Sequence, residues 1–152
     1  MTMESEKQTL VVVSHCHLNP SSRLLGIKPP SRISTGDANI MQLPCPELIF
    51  FGANRREITK DQLQHPSYRR FCHDLFVPFA DMIEELYNKG MEIKIAGVRK
   101  SPSCAVKCTT VGGQKGKVSE FTHYHVAGKG VFFEEIEKEL FERGVSFHMC
   151  EH

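Results

Sequence analysis

No charge of one sign dominates this chain. Its 19 lysines and arginines stand against 18 aspartates and glutamates, a formal net charge of +1 at pH 7. That removes any global pull towards nucleic acid or an acidic membrane surface. No apolar run approaches bilayer-spanning length, and the opening Met1-Thr2-Met3-Glu4-Ser5-Glu6-Lys7 is too polar for a secretory signal. The expectation is a cytoplasmic, reducing setting with neither a membrane nor a nucleic acid as partner. Repeats, low-complexity tracts and linkers are missing too, so residues 1–152 read as one domain, long enough to bury a real core. Among the six cysteines there is no Cys-x-x-Cys pair to mark a local metal or redox motif. A reducing compartment also removes disulfides as their purpose. Metal ligation, reactive thiols and core packing are what remain.

Two nucleotide-binding signatures are absent as well. No glycine-rich turn follows the first strand, which argues against a dinucleotide-binding fold. The run Gly112-Gly113-Gln114-Lys115-Gly116-Lys117 resembles a phosphate loop but lacks its frame, with Val111 where glycine is needed and Val118 where a hydroxyl is needed. Its lysines, with Arg99, Lys100 and Lys107, would make a mildly basic mouth suited to an anionic substrate such as a nucleotide.

What is present is one event repeated three times. Met91-Glu92-Ile93-Lys94-Ile95-Ala96-Gly97-Val98 alternates as a strand should and runs into Arg99-Lys100-Ser101-Pro102-Ser103-Cys104. Leu10-Val11-Val12-Val13 runs into Ser14-His15-Cys16, and Ile40-Met41-Gln42-Leu43 runs into Pro44-Cys45-Pro46-Glu47. In open α/β sheets ligands bind beyond the carboxyl ends of the strands. Parallel neighbouring strands would therefore bring Cys16, Cys45 and Cys104 to one point.

Strands are expected over residues 9–14, 39–44, 91–98 and 145–149, the last as a fourth parallel strand. Residues 15–37 read as a long irregular loop with one helical turn at Ser22-Arg23-Leu24-Leu25, and loops of that length are usually functional. Pro46 starts a short helical turn over Glu47-Leu48-Ile49-Phe50-Phe51. The long helix spans Pro66 to Asn88, with Tyr68, Phe71, Leu75, Phe79, Met82, Ile83 and Leu86 on its apolar face. Pro78 is expected to kink or divide it. Residues 99–128 read as loop-rich, with a short strand at Ser119-Glu120-Phe121-Thr122-His123-Tyr124. A last helix over 129–143 presents Val131, Phe132, Ile136, Leu140 and Phe141 on one face. The β-α-β-α-β pattern predicts an α/β, three-layer Rossmann-like or flavodoxin-like sandwich with a mainly parallel sheet of about four to five strands.

Thiolates are soft ligands that select iron–sulfur clusters, zinc or copper(I). Three of them leave a coordination position open to substrate, the mark of a catalytic rather than a structural site. Ser-x-Cys after the first strand, Cys-Pro-Glu after the second and Ser-Pro-Ser-Cys after the third, in this order along most of the chain, resemble the thiouracil desulfurase (TudS-like desulfidase) family. The resemblance implies a [4Fe-4S] cluster held by Cys16, Cys45 and Cys104, whose open iron captures the sulfur of a thiolated base. It also implies that Glu47 and Ser101 assist while sulfide leaves and water supplies the replacing oxygen. The chain departs from the family pattern at Ala105, where glycine is usual, and at His17-Leu18-Asn19-Pro20 after the first cysteine. It therefore reads as a divergent branch whose physiological substrate is open.

From the residues themselves, Glu47 follows a ligand by two positions and suits a general acid–base whose pKa a nearby anionic cluster would raise. The bland alternative is a first-turn helix carboxylate. Ser101 orients Glu47 in this reading, and Ser101 or Ser103 could donate to cluster or substrate. Turn chemistry is the preferred role of Ser103, with substrate binding as its alternative. Cys108 could be a spare thiol or sulfur acceptor, Cys150 sits at the correct sheet edge, and Cys72 belongs in the core. His15 and His17 read as neutral loop histidines flanking Cys16, and His123 and His125 as surface or substrate-channel residues. Two rival functions stand beside the desulfidase. One is a non-catalytic iron–sulfur or zinc module acting as sensor or sulfur carrier. The other is a metal-free nucleotide- or partner-binding domain.

Overall fold

The computed structural model describes residues 7–23, 36–113 and 122–152. The elements in chain order are β1 (Thr9–Val13), α1 (His15–Leu18), β2 (Asn39–Gln42), α2 (Pro46–Phe51), α3 (Lys60–Leu63), α4 (Pro66–Asn88), β3 (Glu92–Gly97), β4 (Cys108–Gly113), β5 (Thr122–Ala127), α5 (Val131–Glu142) and β6 (His148–Glu151). Four strands form a fully parallel sheet in the order β2-β1-β3-β6. This is the α/β, Rossmann- or flavodoxin-like arrangement expected from the alternation of strand and helix. Among the described residues no helix is long and apolar enough to cross a membrane.

The register explains why strand ends coincide. Val13, the last residue of β1, lies opposite Gln42, the last of β2, and opposite Ala96 of β3. Three adjacent strands therefore stop at nearly the same level, each followed by a cysteine-bearing loop. Leu10, Val12, Ile93 and Ile95 point from the sheet into one core with Phe76, Ile83, Phe132 and Ile136. At roughly 1.5–3 kcal/mol per buried large apolar side chain, this face is the main stabilising term of the fold.

Both long helices rotate slightly from the faces read in the sequence. On α4 the buried line is Tyr68, Cys72, Phe76, Ala80 and Ile83. Phe71, Leu75, Phe79 and Leu86 flank it, and Met82 is exposed. α5 packs along α4, bringing Phe76 against Phe132 with ring centroids 6.3 Å apart. This second contact draws Cys72 and Ala80 inward. α4 also runs undivided through Pro78, because burial of Phe76 and Ala80 on either side outweighs a penalty of about 3 kcal/mol for the proline. On α5, Phe133 rather than Phe141 is buried, Phe141 being 81% exposed.

The region after β3 differs most from its expectation as loop. β4 and β5 pair as an antiparallel hairpin in register from Cys108↔Ala127 to Gly113↔Thr122. The strand expected over 119–124 thus begins at Thr122, and its first part, 119–121, lies outside the described residues. So do Lys115 and Lys117 of the glycine–lysine run and Leu24 and Leu25 of the expected turn; Pro20–Ser22 forms a single 3₁₀ turn. The closing strand starts at His148 rather than Val145, which is buried beyond the end of α5. The short helix α3, which the sequence reading did not include, clamps the hairpin. Thr59 Oγ1 donates to the Gly112 carbonyl at 2.6 Å, and Asp61 accepts from the Gly112 N–H at 2.7 Å.

Candidate functional site

A cavity of about 230 Å³ lies at the carboxyl edge of the sheet, bordered by Cys16, Cys45, Cys104 and Glu47. Ser101, Arg55 and His125 belong to the same lining. All six cysteines are free thiols. The structure thus brings together the three that follow strand ends and keeps the others apart. Cys72 is buried in the core, Cys150 is exposed on β6, and Cys108 starts β4 without bordering the cavity.

Each thiol is positioned by a different device. Cys16 sits in α1, which Ser14 ties to β3 by donating from Oγ to the Ala96 carbonyl at 3.3 Å. Cys45 caps α2, with Pro46 at the first helical position, and its Sγ accepts a hydrogen bond from the Leu48 N–H at 3.4 Å. Amide bonds of this kind tune iron–sulfur ligands. Cys104 is held by close backbone packing and a set of short hydrogen bonds. Its carbonyl accepts from the Val98 N–H at 2.7 Å, its own N–H donates to Ser101 Oγ at 3.0 Å, and that of Ser103 donates to the same oxygen at 3.3 Å. The first amides of α5 then cap the loop, Val131 N–H donating to the Pro102 carbonyl at 2.9 Å and Phe133 N–H to that of Ser103 at 3.1 Å.

Such close approach requires residues without Cβ. A methyl group on Gly130 would run into the backbone of Ser103 and Cys104, and one on Gly97 would press on Val106 and Phe133. The far side of the loop is secured by the Glu151 carboxylate of β6, which accepts from the Val106 N–H at 2.9 Å and the Lys107 N–H at 2.6 Å. Lys100 adopts φ +66°, a left-handed conformation costing of order 1–3 kcal/mol for a residue with a side chain. It is retained because its N–H donates to the Cys108 carbonyl at 2.9 Å and its carbonyl accepts from Thr110 Oγ1 at 2.7 Å.

Burial sets the protonation of the site. The Cys16 thiol is pushed up to about 11 by burial, against the pull of Arg23. Cys45 is raised for the same reason. Cys104 is raised further, by burial and by the proximity of Cys45, Cys16 and Glu47. Three protonated thiols within electrostatic reach of one another are what a soft metal centre would deprotonate on binding. Glu47 is only 8% exposed. Burial raises its pKa, while Arg55, a hydrogen bond from Ser103 and Arg23 oppose the rise.

The two serines sit in different surroundings. Ser101, expected to orient Glu47, borders the cavity but uses its oxygen to accept the two loop amides, leaving its O–H to donate. Ser103 is fully buried away from the cavity lining, bonded to the Tyr68 hydroxyl at 2.9 Å, and its hydrogen bonding to Glu47 opposes the rise in that carboxyl's pKa. His17 is also buried. Its Nδ1 accepts from the Ser14 N–H at 3.2 Å, and burial lowers its pKa to about 4, so it is a neutral packing residue. His15 is engaged by Gln42 at 2.9 Å and Asn19 at 3.1 Å, outside the cavity lining.

Residues the sequence did not single out complete the site. Arg55 donates to the Ser22 carbonyl at 2.9 Å and lines the cavity, with its Nε buried and without a hydrogen-bond partner among the described residues. Arg23, Glu57 and Thr110 also face it. They arrive from separate loops and from β4, and no spacing in the sequence announces their convergence. Of the basic residues expected at the mouth, Arg99 and Lys100 line the cavity. Among the described residues no three His, Cys, Asp or Glu side chains close upon a single metal ion. A cubane cluster does not need that, because its thiolates bind different irons and stand apart around the space it fills. Soft donors, shared cavity and N–H···S bond together fit such a cluster.

No family model matches the chain, and no solved structure matches it. It is similar to the uncharacterized protein MJ0003 of Methanocaldococcus jannaschii, with 28% identity over 105 residues, spanning 64% of this chain and 67% of that protein.

Proposed function

We propose that this chain is an iron–sulfur-dependent desulfidase acting on a small thiocarbonyl compound, a thiolated nucleobase such as thiouracil being the class its motifs imply. One observation carries the reading. Thiols from the ends of three adjacent parallel strands border one cavity together with a buried carboxyl group. Cys16, Cys45 and Cys104 would hold a [4Fe-4S] cluster. When bound, such a cluster supplies Lewis acidity towards sulfur at an iron that no protein thiolate occupies.

The chain's own residues supply the rest. The net change is hydrolytic: water and a thiocarbonyl give a carbonyl and hydrogen sulfide, with no oxidant or reductant consumed. Glu47, its pKa raised by burial, carries a proton under conditions where an ordinary carboxyl group has lost it, which suits proton transfer to departing sulfur. The Ser101 hydroxyl is a donor towards substrate, and Ser103 with Tyr68 keeps the Glu47 carboxyl in place. Arg23 and Arg55 bias the cavity towards electronegative substrate atoms. A cytoplasmic setting belongs to the same reading, because six free thiols suit a reducing compartment.

The test is anaerobic purification with iron–sulfur reconstitution, followed by iron and sulfide analysis and assays on 2- and 4-thiouracil. The expected outcome is broad visible absorption with matched iron and sulfide, lost together with turnover in Cys104→Ala. Protein that stays colourless and takes up no iron would overturn the reading, and so would a fully active Cys45→Ala variant. Loaded protein without turnover on any thiocarbonyl would identify a binding module instead.

A further inference from the structure

His125 stands on β5, outside all three motif loops, yet its ring borders the same cavity as the thiols and Glu47. Its neighbours determine where its proton sits. Thr110 Oγ1 lies 2.7 Å from the Lys100 carbonyl and 2.9 Å from His125 Nδ1. A carbonyl oxygen only accepts, so the single hydroxyl proton of Thr110 is committed to Lys100. The same hydroxyl oxygen must then accept from His125, which places a proton on Nδ1. In the neutral ring Nε2 is left as a bare lone pair, without a hydrogen-bond partner among the described residues. The left-handed backbone of Lys100, held by its N–H bond to the Cys108 carbonyl at 2.9 Å, aims the carbonyl that starts this chain.

We infer that His125 is a second acid–base residue of the cavity, kept in its Nδ1–H tautomer by Thr110 so that Nε2 accepts a proton from the attacking water. This role rests on the desulfidase reading above. The oxygen of water replaces sulfur at carbon, and both protons of that water leave with the sulfur as hydrogen sulfide. Nε2 takes one of them as the C–O bond forms, the ring becoming an imidazolium that still donates from Nδ1 to Thr110. It releases that proton to the departing sulfur as the C–S bond breaks and the bonding pair goes to sulfur. Glu47 serves the other proton. Two groups that border one cavity, one a buried carboxyl and one an imidazole, divide acid and base work by environment.

Two measurements test this. Long-range ¹H–¹⁵N spectra of the cluster-free protein report the tautomer without reference to turnover. The wild type is expected to show His125 protonated on Nδ1, and Thr110→Val is expected to lose that preference. An Nε2–H ring in the wild type, or an unchanged tautomer in Thr110→Val, would overturn the inference. Kinetics then use reconstituted protein of equal iron and sulfide content. His125→Gln should lower kcat by about 10²–10⁴-fold with KM little changed, and added imidazole should restore part of the loss in His125→Ala. Full kcat in His125→Gln, or no rescue of His125→Ala, overturns the acid–base role while leaving the desulfidase intact. A loaded wild type inactive on every thiocarbonyl overturns the desulfidase reading, and this role with it.

Discussion

Glu47 is where physical chemistry bears most directly on a single side chain. Burial raises its pKa above the ordinary 4.5, so the folded protein holds this proton more tightly than the unfolded chain does. Stability of the cluster-free protein must then fall as pH rises from 4.5 through the folded value. Glu47→Gln cannot ionise and should remove that limb, making the variant more stable than wild type near neutrality and indistinguishable below pH 4.5. Denaturant unfolding at a series of pH values measures it. Activity should move the opposite way, with kcat down by about 10²–10⁴-fold. Ser103 makes a companion prediction. Ser103→Ala leaves the Tyr68 hydroxyl and the Glu47 carboxyl short of a buried partner, at a cost of about 1–3 kcal/mol. An unchanged unfolding midpoint would contradict the role assigned to it. Neither serine's task is legible in Ser-Pro-Ser-Cys, because adjacent hydroxyls on one turn are told apart only by what packs over them.

At the scale of elements, the junction between the Cys104 loop and α5 decides the site. A Cβ on Gly130 would stand 2.6 Å from the Cys104 nitrogen, so Gly130→Ala must displace either the loop or the helix start. Overpacking of this kind costs about 1–3 kcal/mol. Gly130→Ala should lower the unfolding midpoint and also reduce iron uptake on reconstitution; normal uptake would show that the loop tolerates the shift. The strands and long helices were readable because their periodicities express which face meets the core. α4 ends at the Asn88-Lys89-Gly90 stop anticipated for it. The β4–β5 hairpin was not readable as a pair. Cys108-Thr109-Thr110-Val111 carries little alternation, and its stability comes from α3 and the Lys100 loop, which are distant in sequence or lack a pattern.

For the whole molecule, the parallel sheet acts as a ruler that brings three loops level, and an assembled centre would cross-link all three. A group that binds only the folded state stabilises it by mass action, about 2.7 kcal/mol at a hundredfold excess over Kd. Reconstituted protein should therefore melt above the cluster-free form, and iron chelation should reverse the gain. Coincident melting curves would mean that the cysteines do not share a centre.

Taken alone, the sequence determined the parallel α/β class, the boundaries of α4 to the residue and the three strand-end cysteines. These follow from local periodicity and from the rule that parallel strands share one functional edge. Only the tertiary structure decided that Ser103 approaches Glu47 while Ser101 accepts the loop amides, that Arg23 and Arg55 face the same cavity, and that Thr110 is hydrogen-bonded to the His125 ring. Those contacts join residues whose separations along the chain reflect no period. They exist because the core, once packed, brings loops from different strands within hydrogen-bond range.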